Sequence, residues 1–205
     1  MMKIKSFVVT TFAAFCLLTI AHASPVTGFS DITTWVGSGS NQAGFVIDFN
    51  DGSTNETFAW GYRWDGVQTS EDMFRAITAY DVNLSGTAPG TGSGFYVNSI
   101  TYIENAITHT SDNGAIGGTA DEWWTYYTAE GSTSIPGSWT ESAIGAGDRT
   151  LANNSWDGWS ATIDNNYPSP APGAAINAIP EPTSILLLVA GLGMFVWLRR
   201  ASSRA

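Results

Sequence analysis

The sequence predicts an α+β domain built mainly of antiparallel β-strands, with one helix near residues 70–81. Three features support this fold class. Short segments alternate apolar and polar residues, as half-buried strands do. Gly, Asn, Asp and Ser separate these segments at short intervals. A single stretch of the domain has apolar residues at helical spacing together with a cap. An all-β sandwich is the alternative.

The first two predicted strands flank a turn at residues 50–53, Asn-Asp-Gly-Ser. Residues 43–49 alternate in polarity and form the first strand. In the second strand every other residue is aromatic, namely Phe58, Trp60, Tyr62 and Trp64. Because successive side chains of a strand point to opposite faces, these four rings are expected side by side on one face.

The helix is predicted from its cap and its apolar stripe. Residues 69–72, Thr-Ser-Glu-Asp, supply a capping side chain and two acids that complement the helix dipole. The apolar residues that follow recur three and four positions apart: Met73, Phe74, Ile77 and Tyr80. We expect the helix to end near Asp81.

The rest of the domain is predicted as short strands and loops. Strands are expected over residues 94–103, 121–128, 139–144 and 156–163. Loops are expected over residues 83–94 and 109–120, which contain several glycines and, in the second loop, a solvated His109. Residues 167–178 begin with three closely spaced prolines and are predicted to be a linker.

The first 23 residues have the composition of a secretory signal peptide. Two lysines precede an apolar segment at residues 7–20, and Ala21-His22-Ala23 fits a cleavage site flanked by small residues. We therefore expect export by the Sec machinery and cleavage after Ala23, which leaves residues 24–166 as a single ectodomain.

The C-terminal residues 179–205 contain a three-part pattern. A Pro-Glu-Pro triplet comes first, an apolar span at residues 183–198 follows, and a basic tail ends the chain. The residues that define the triplet and the start of the tail are Pro180, Glu181, Pro182, Arg199 and Arg200. Sixteen helical residues span roughly 24 Å, so the span is expected to be a transmembrane helix with its arginines on the cytoplasmic side.

This pattern resembles the sorting signal of the PEP-CTERM family of bacterial secreted proteins. The resemblance covers residues 179–205 and implies that an exosortase of the inner membrane recognises the signal. It further implies an ectodomain that is first anchored in the periplasm and then reaches the cell surface or the extracellular space. An ordinary single-pass anchor that is never cut is the alternative.

The charge of residues 24–178 limits the possible partners. This segment holds 17 acidic residues, three arginines and no lysine. Nucleic acid is not expected as a partner, because phosphate binding needs a basic surface. An exopolysaccharide or a neutral ligand is compatible with the charge. Cys16, the only cysteine, leaves with the signal peptide, so the mature chain is expected to lack disulfides.

The sequence gives little support for an enzyme. Residues 24–178 contain one histidine, His109, and no Gly-x-Ser-x-Gly motif. No cofactor and no catalytic residue are therefore expected. The turn at residues 48–52, Asp-Phe-Asn-Asp-Gly, leaves a weak Ca²⁺ site open, although its glycine comes one position early for an EF-hand loop.

The tryptophans of the ectodomain allow two interpretations. They can form much of the core, because aromatic rings bury large areas. Alternatively, they form an exposed aromatic platform on which a sugar or a flat macrocycle stacks. The candidate platform residues are Trp60, Tyr62, Trp64, Asp65, Trp123, Trp124, Trp156 and Trp159.

Residues 70–159 also resemble a transcobalamin-like domain. The resemblance rests on Glu-Asp-Met-Phe-Arg-Ala-Ile at 71–77, Gly-Phe-Tyr-Val-Asn-Ser-Ile at 94–100, Asp-Glu-Trp-Trp-Thr-Tyr-Tyr at 121–127 and the segment 151–159. It implies a small α+β domain that binds a corrinoid. Together, these features predict a non-catalytic protein of the bacterial surface or extracellular matrix. The alternative is a binding module for a polysaccharide or a corrinoid-like ligand.

Overall fold

A computed structural model of the protein describes residues 24–53, 56–104, 106–112, 123–162 and 168–178. The predicted signal peptide with Ala21 and Ala23, and the predicted sorting signal at 179–205, lie outside these residues. In the described part of the chain, no helix has the length and apolar character needed to cross a membrane.

The described residues form two β-sheets and one α-helix. The elements in chain order are β1 (Trp35–Gly37), β2 (Asn41–Asp48), β3 (Thr57–Trp64), α1 (Ser70–Tyr80), β4 (Leu84–Thr87), β5 (Ser99–Glu104), β6 (Ile107–Asp112), β7 (Trp124–Ala129), β8 (Thr140–Glu141), β9 (Ser155–Ala161) and β10 (Ile176–Asn177). The prediction of a β-rich fold with one helix and antiparallel sheets is confirmed.

The larger sheet has the strand order β1-β3-β2-β9-β7-β8, and β10 also pairs with β3. Strands β2 and β3 form the predicted antiparallel hairpin, and β7 is antiparallel to both β8 and β9. Three pairs in this sheet are parallel: β1 with β3, β10 with β3, and β2 with β9. The smaller sheet is an antiparallel meander of β4, β5 and β6.

Helix α1 forms where its cap and its apolar stripe predicted it. The Thr69 hydroxyl accepts a hydrogen bond from the backbone N–H of Asp72, and the Asp72 carboxylate accepts one from the backbone N–H of Thr69. This reciprocal capping box satisfies two donors at the helix start. At the other end, Asp81 donates its N–H to Ile77 and accepts a hydrogen bond of 2.8 Å from the Trp60 indole.

The core lies between the larger sheet, helix α1 and the smaller sheet. The four aromatic residues of β3 all belong to this core. Phe58 and Trp60 are fully buried and contact Tyr102 of β5 at centroid distances of 4.5 and 5.3 Å. A second cluster covers the opposite face of the larger sheet and is centred on Trp156, which stacks on Phe29.

The predicted loop at residues 109–120 is wrong in its first part. Residues 107–112 form β6, and His109 is fully buried between Phe49 and Phe58. The sequence does not predict this strand, because its threonines and serine do not give the apolar alternation of a half-buried strand. Residues 113–120 lie outside the described part of the chain.

The strand predicted for 94–103 also begins later than expected, at Ser99. Residues 92–94 form a short 3-10 turn, and Phe95 donates its N–H to the carbonyl of Gly92. The strand predicted for residues 139–144 is also shorter in the structure, where only β8 forms. The Ser142 hydroxyl donates to the carbonyl of Ile144, which turns the chain away from β7.

Residues 168–178, predicted as part of a linker, instead pack on the domain. Strand β10 pairs with β3, and Ala175 and Ala178 are buried. The Asn177 side chain fixes this segment, because its amide nitrogen donates to the Asp31 carbonyl and its oxygen accepts from the Thr33 N–H, both at 2.8 Å. Prolines keep the segment extended, and small residues let it lie flat against the sheet.

Candidate ligand-binding cavity

A cavity of about 300 Å³ lies beside β7, where the short strand β8 leaves part of the β7 edge uncovered. Its walls come from three segments: residues 95–97, residues 124–126 of β7, and the loop at residues 141–146; Trp159 of β9 completes it. The volume is at the lower end of the range for small-molecule sites.

Four aromatic residues form the inner walls. They are Phe95, Trp124, Tyr126 and Trp159, and each is at least nine-tenths buried. Trp159 stacks on Tyr126 with a centroid distance of 4.7 Å, and Phe95 meets Trp159 edge-on at 6.4 Å. The opening differs from the interior, because Tyr96 and Ile144 are 50% and 53% exposed. The cavity therefore has packed aromatic walls and an accessible apolar rim.

A buried charged cluster fixes the Tyr126 wall. The Tyr126 hydroxyl donates to the Asp157 carboxylate and lies 2.7 Å from the Ser70 hydroxyl, which also donates to Asp157. Arg149 binds the same carboxylate through Nε and Nη2, at 3.0 to 3.1 Å. Its remaining contact, at 2.7 Å, is with Glu130.

The protonation states of this cluster follow from burial and charge. Burial raises the pKa of the Tyr126 hydroxyl, and the adjacent Asp157 carboxylate raises it further. Burial alone would lower the pKa of Arg149, but the attraction of Asp157 outweighs it and raises that pKa. Tyr126 therefore stays neutral and Arg149 stays charged, so the hydrogen bonds that orient the Tyr126 ring persist across the physiological pH range.

Two donors of the cavity walls have no partner among the described residues. The indole N–H groups of Trp124 and Trp159 are both buried and unpaired there. A buried donor without an acceptor costs roughly 1–3 kcal/mol. In contrast, the indole N–H of Trp156, on the other face of the sheet, donates to the Ser132 carbonyl at 2.8 Å.

The structure does not place the predicted aromatic platform at the surface. Trp60, Tyr62, Trp64 and Trp156 are buried, because both faces of the larger sheet are covered. Asp65 lies in an exposed turn, where it accepts hydrogen bonds from Ser40. Trp123 is 49% exposed. Of the eight candidate residues, only Trp124 and Trp159 come together in the cavity.

The sequence did not indicate several residues of this site. Phe95 and the loop at residues 141–146 lie far apart in the chain and meet only through the fold. Tyr126 could have been identified from the sequence, because strand alternation places it on the same face as Trp124. Arg149 and Asp157 gave no pattern that distinguishes a buried pair from two surface charges.

A second polar cluster surrounds His109. Its Nδ1 atom lies 2.7 Å from the Asp51 carboxylate and 3.4 Å from the Ser53 hydroxyl. A serine–histidine–acid relay needs the acid and the serine on different ring nitrogens. Both groups contact Nδ1 here, so this arrangement is not a catalytic triad. The His109 Nε2 atom is buried and has no partner among the described residues.

The predicted weak calcium turn has its carboxylates engaged within the protein. Asp48 accepts hydrogen bonds from the N–H groups of Asn50 and Gly173, and Asp51 binds His109. Within the described ranges, no group of three or more His, Cys, Asp and Glu side chains is arranged to hold a metal ion.

Glu104 of β5 is buried on the same side of the hairpin as His109. Burial raises the pKa of its carboxyl above the ordinary value of 4.5, and His109 offsets part of this effect. The folded chain thus holds this proton more tightly than the unfolded chain. As the pH rises above about 4.5, the unfolded chain ionises first, and stability falls until the pH passes the folded pKa.

We therefore expect Glu104→Gln to reduce the loss of stability that sets in as the pH rises above about 4.5. Urea unfolding of both proteins at a series of pH values measures the difference. Glu130→Gln is the matched control, because the Glu130 side chain is half exposed. Parallel stability curves for the parent and Glu104→Gln would show that burial of Glu104 does not affect its titration.

No protein-family model, curated protein or solved structure gives a significant match to this chain.

Proposed function

We propose that the protein is an exported, non-catalytic component of the bacterial surface or extracellular matrix whose domain binds a small ligand in the aromatic cavity. Export and sorting are supported by the sequence at the two ends of the chain. Binding is supported by one structural observation above all. A cavity of about 300 Å³ has four packed aromatic walls and an accessible apolar rim.

The rigidity of the walls favours binding over a simple structural role. Recognition is most effective when the contacting side chains are held in place before the ligand arrives. Tyr126 is held by Asp157 and Ser70, and Trp159 is held by stacking on Tyr126. A protein that serves only as matrix material has no need of such an oriented cavity.

The rim offers a direct test of the site. Ile144→Arg should abolish binding, because a charged side chain would block the mouth of the cavity. Its stability should change by less than about 0.5 kcal/mol, because Ile144 is exposed. Titration of the full-length chain with neutral saccharides and with cobalamin, followed by tryptophan fluorescence, measures the effect.

The matched control for this test is Ile107→Arg. Ile107 is equally exposed at 53% but lies on β6 of the smaller sheet, away from the cavity lining. Ligand affinity that responds equally to both substitutions would show that the cavity is not the binding site.

Sorting is tested separately from binding. Replacing Pro180, Glu181 and Pro182 by alanine should leave the uncut chain in the inner membrane of a host that contains an exosortase. The unaltered chain should be processed and leave that membrane. Fractionation and intact-mass analysis distinguish the two. If the altered chain is released as efficiently as the parent, the triplet is not a processing signal.

A further inference from the structure

We propose that the two ends of the ectodomain hold each other in a terminal clasp that limits where and when the chain is cut. The clasp consists of residues 24–26 and 175–178. While it is closed, the sorting enzyme can cut only on the C-terminal side of Ala178, and the signal peptidase cannot cut after Ala23. This inference rests on the proposed export and sorting, and it deepens them by assigning the limits of both cleavage steps.

The backbones of the two ends pair as antiparallel strands. Val26 donates its N–H to the Ala175 carbonyl, and Asn177 donates its N–H to the Ser24 carbonyl, both at 2.9 Å. Pro25 lies between these two bonds, at a position where the pairing requires no N–H from it. Because β10 pairs with β3 on its other side, it joins the first residues of the ectodomain to the larger sheet.

The Asn177 side chain ties this pairing to a third segment of the chain. Its oxygen accepts hydrogen bonds from the Thr33 N–H and the Thr33 hydroxyl, at 2.8 and 3.2 Å. Its nitrogen donates to the carbonyls of Asp31 and Ser24, at 2.8 and 3.3 Å. All four hydrogen-bonding positions of the amide are therefore occupied, and only 3% of the residue is exposed. Alanine at this position would leave all of these partners without the amide.

The fold extends to Ala178, the last residue before the predicted sorting signal. Ala178 is fully buried, donates its N–H to the Ala59 carbonyl at 3.2 Å and accepts a hydrogen bond of 3.1 Å from the Thr34 hydroxyl. Upstream, Ser169 and Gly173 are held by hydrogen bonds of 2.7 Å to β9 and β2. A peptidase binds an extended substrate through backbone groups that this segment already uses. Cleavage within residues 168–178 therefore requires local opening of the fold.

Both predicted cleavage points lie at the same end of the domain. Residues that face each other in an antiparallel pair have Cα atoms about 4.5–5.5 Å apart, so Ser24 and Asn177 are close neighbours. The bond after Ala23 directly precedes the clasp, and a signal peptidase bound to residues 24–26 would displace residues 175–177. Signal-peptide removal and closure of the clasp thus exclude each other. Roughly 150 residues separate the two halves of the clasp, so synthesis at about 5–20 residues per second leaves about 8–30 s for the first cut.

Intact-mass analysis of the mature protein tests the position of the second cut. In a host that contains an exosortase, the parent chain should begin at Ser24 and end at or after Ala178. A mature C-terminus between residues 168 and 177 overturns the proposal. Brief subtilisin digestion of the full-length chain in membranes provides the same test without the sorting enzyme, because the protected fragment should also extend to Ala178.

Two substitutions weaken the clasp without altering the cavity lining. Asn177→Ala should speed subtilisin cleavage within residues 168–178 at least tenfold, the ratio that about 1.4 kcal/mol of easier opening produces. Thr34→Val keeps a similar shape and removes only the hydroxyl that binds the Ala178 carbonyl, so its effect should have the same direction and a smaller size. Asn98→Ala is the matched control, because the Asn98 side-chain amide makes one hydrogen bond, of 3.3 Å, to Thr87 on the smaller sheet. It should leave the rate unchanged.

Reversible inhibition of the signal peptidase during synthesis tests the order of events. When the inhibitor is removed after the chain has folded, the parent should stay uncut after Ala23, whereas Asn177→Ala should be cut at least tenfold faster. Without inhibition, the intermediate that accumulates should lack the signal peptide and keep the sorting signal. Rapid cleavage of the folded parent, or an intermediate that has lost only the sorting signal, overturns the proposal.

The outcomes separate the clasp from the proposed function. A parent chain that keeps its sorting signal in the exosortase host contradicts the proposed sorting, and subtilisin digestion still measures the clasp in that chain. Equal rates of cleavage within residues 168–178 in the parent, Asn177→Ala and Asn98→Ala overturn the clasp, whether or not the chain is sorted.

Discussion

Replacing Arg149 by alanine is expected to lower the free energy of unfolding by about 3–5 kcal/mol. The substitution leaves the Asp157 carboxylate, which is fully buried, without its counter-charge. The loss should extend to the cavity, because Asp157 also orients the Tyr126 hydroxyl. Urea unfolding measures the stability, and ligand titration measures the effect on the site.

The two acidic partners of Arg149 provide the control for this prediction. Glu130→Gln removes the half-exposed partner and should cost less than about 1 kcal/mol, as is usual for exposed ion pairs. A double variant, Arg149→Met with Asp157→Asn, should recover part of the loss, because it removes the buried charge and keeps an amide oxygen that accepts from the Tyr126 and Ser70 hydroxyls. Equal effects of Arg149→Ala and Glu130→Gln would contradict a buried, uncompensated Asp157.

Trp60→Ala is expected to cost about 3–5 kcal/mol as well, for a different reason. Trp60 is fully buried, and its removal leaves a large cavity between β3, α1 and β5. The indole N–H also donates to Asp81 at the end of α1, so the substitution leaves that buried carboxylate with the Asn83 N–H as a donor but without the indole. Thermal and urea unfolding measure the effect.

The exposed Trp123 is the natural comparison for Trp60. Trp123→Ala should change stability by less than about 1 kcal/mol, because half of the side chain already faces solvent. A Trp60→Ala protein as stable as Trp123→Ala would mean that the aromatic face of β3 is not the core of the domain.

Much of the fold was predictable wherever local residues determine local structure. The capping box of Thr69 and Asp72 and the apolar stripe that follows specify α1 without reference to the rest of the chain. The hairpin of β2 and β3 is likewise specified by alternation on both sides of a turn at Asn50, whose positive φ such turns favour.

Elements that depend on distant partners were not predictable. Strand β6 has polar residues, and His109 is buried only because Asp51 and the rings of Phe49 and Phe58 surround it. Strand β10 exists because β3 offers it an edge, although nothing in its own composition distinguishes it from a linker.

In the candidate site, too, the sequence predicts local features and does not predict contacts between distant segments. Alternation along β7 predicts that Trp124 and Tyr126 share a face, but it does not say whether that face is core or cavity. The answer depends on Phe95, which precedes β7 in the chain, and on the loop at residues 141–146, which follows it. The fold brings both of them against β7. The charges that fix Tyr126 become visible only when Arg149 and Asp157 are seen to be buried together.

Indole resonances in a ¹H–¹⁵N NMR spectrum of the full-length chain test the central claim most directly, because each tryptophan gives one N–H signal. When a ligand that binds is added, the signals of Trp124 and Trp159 should shift, because both rings line the cavity. Those of Trp60 and Trp156, which already have partners in Asp81 and Ser132, should stay in place. Shifts confined to Trp123 or spread equally over all tryptophans would contradict binding in the cavity.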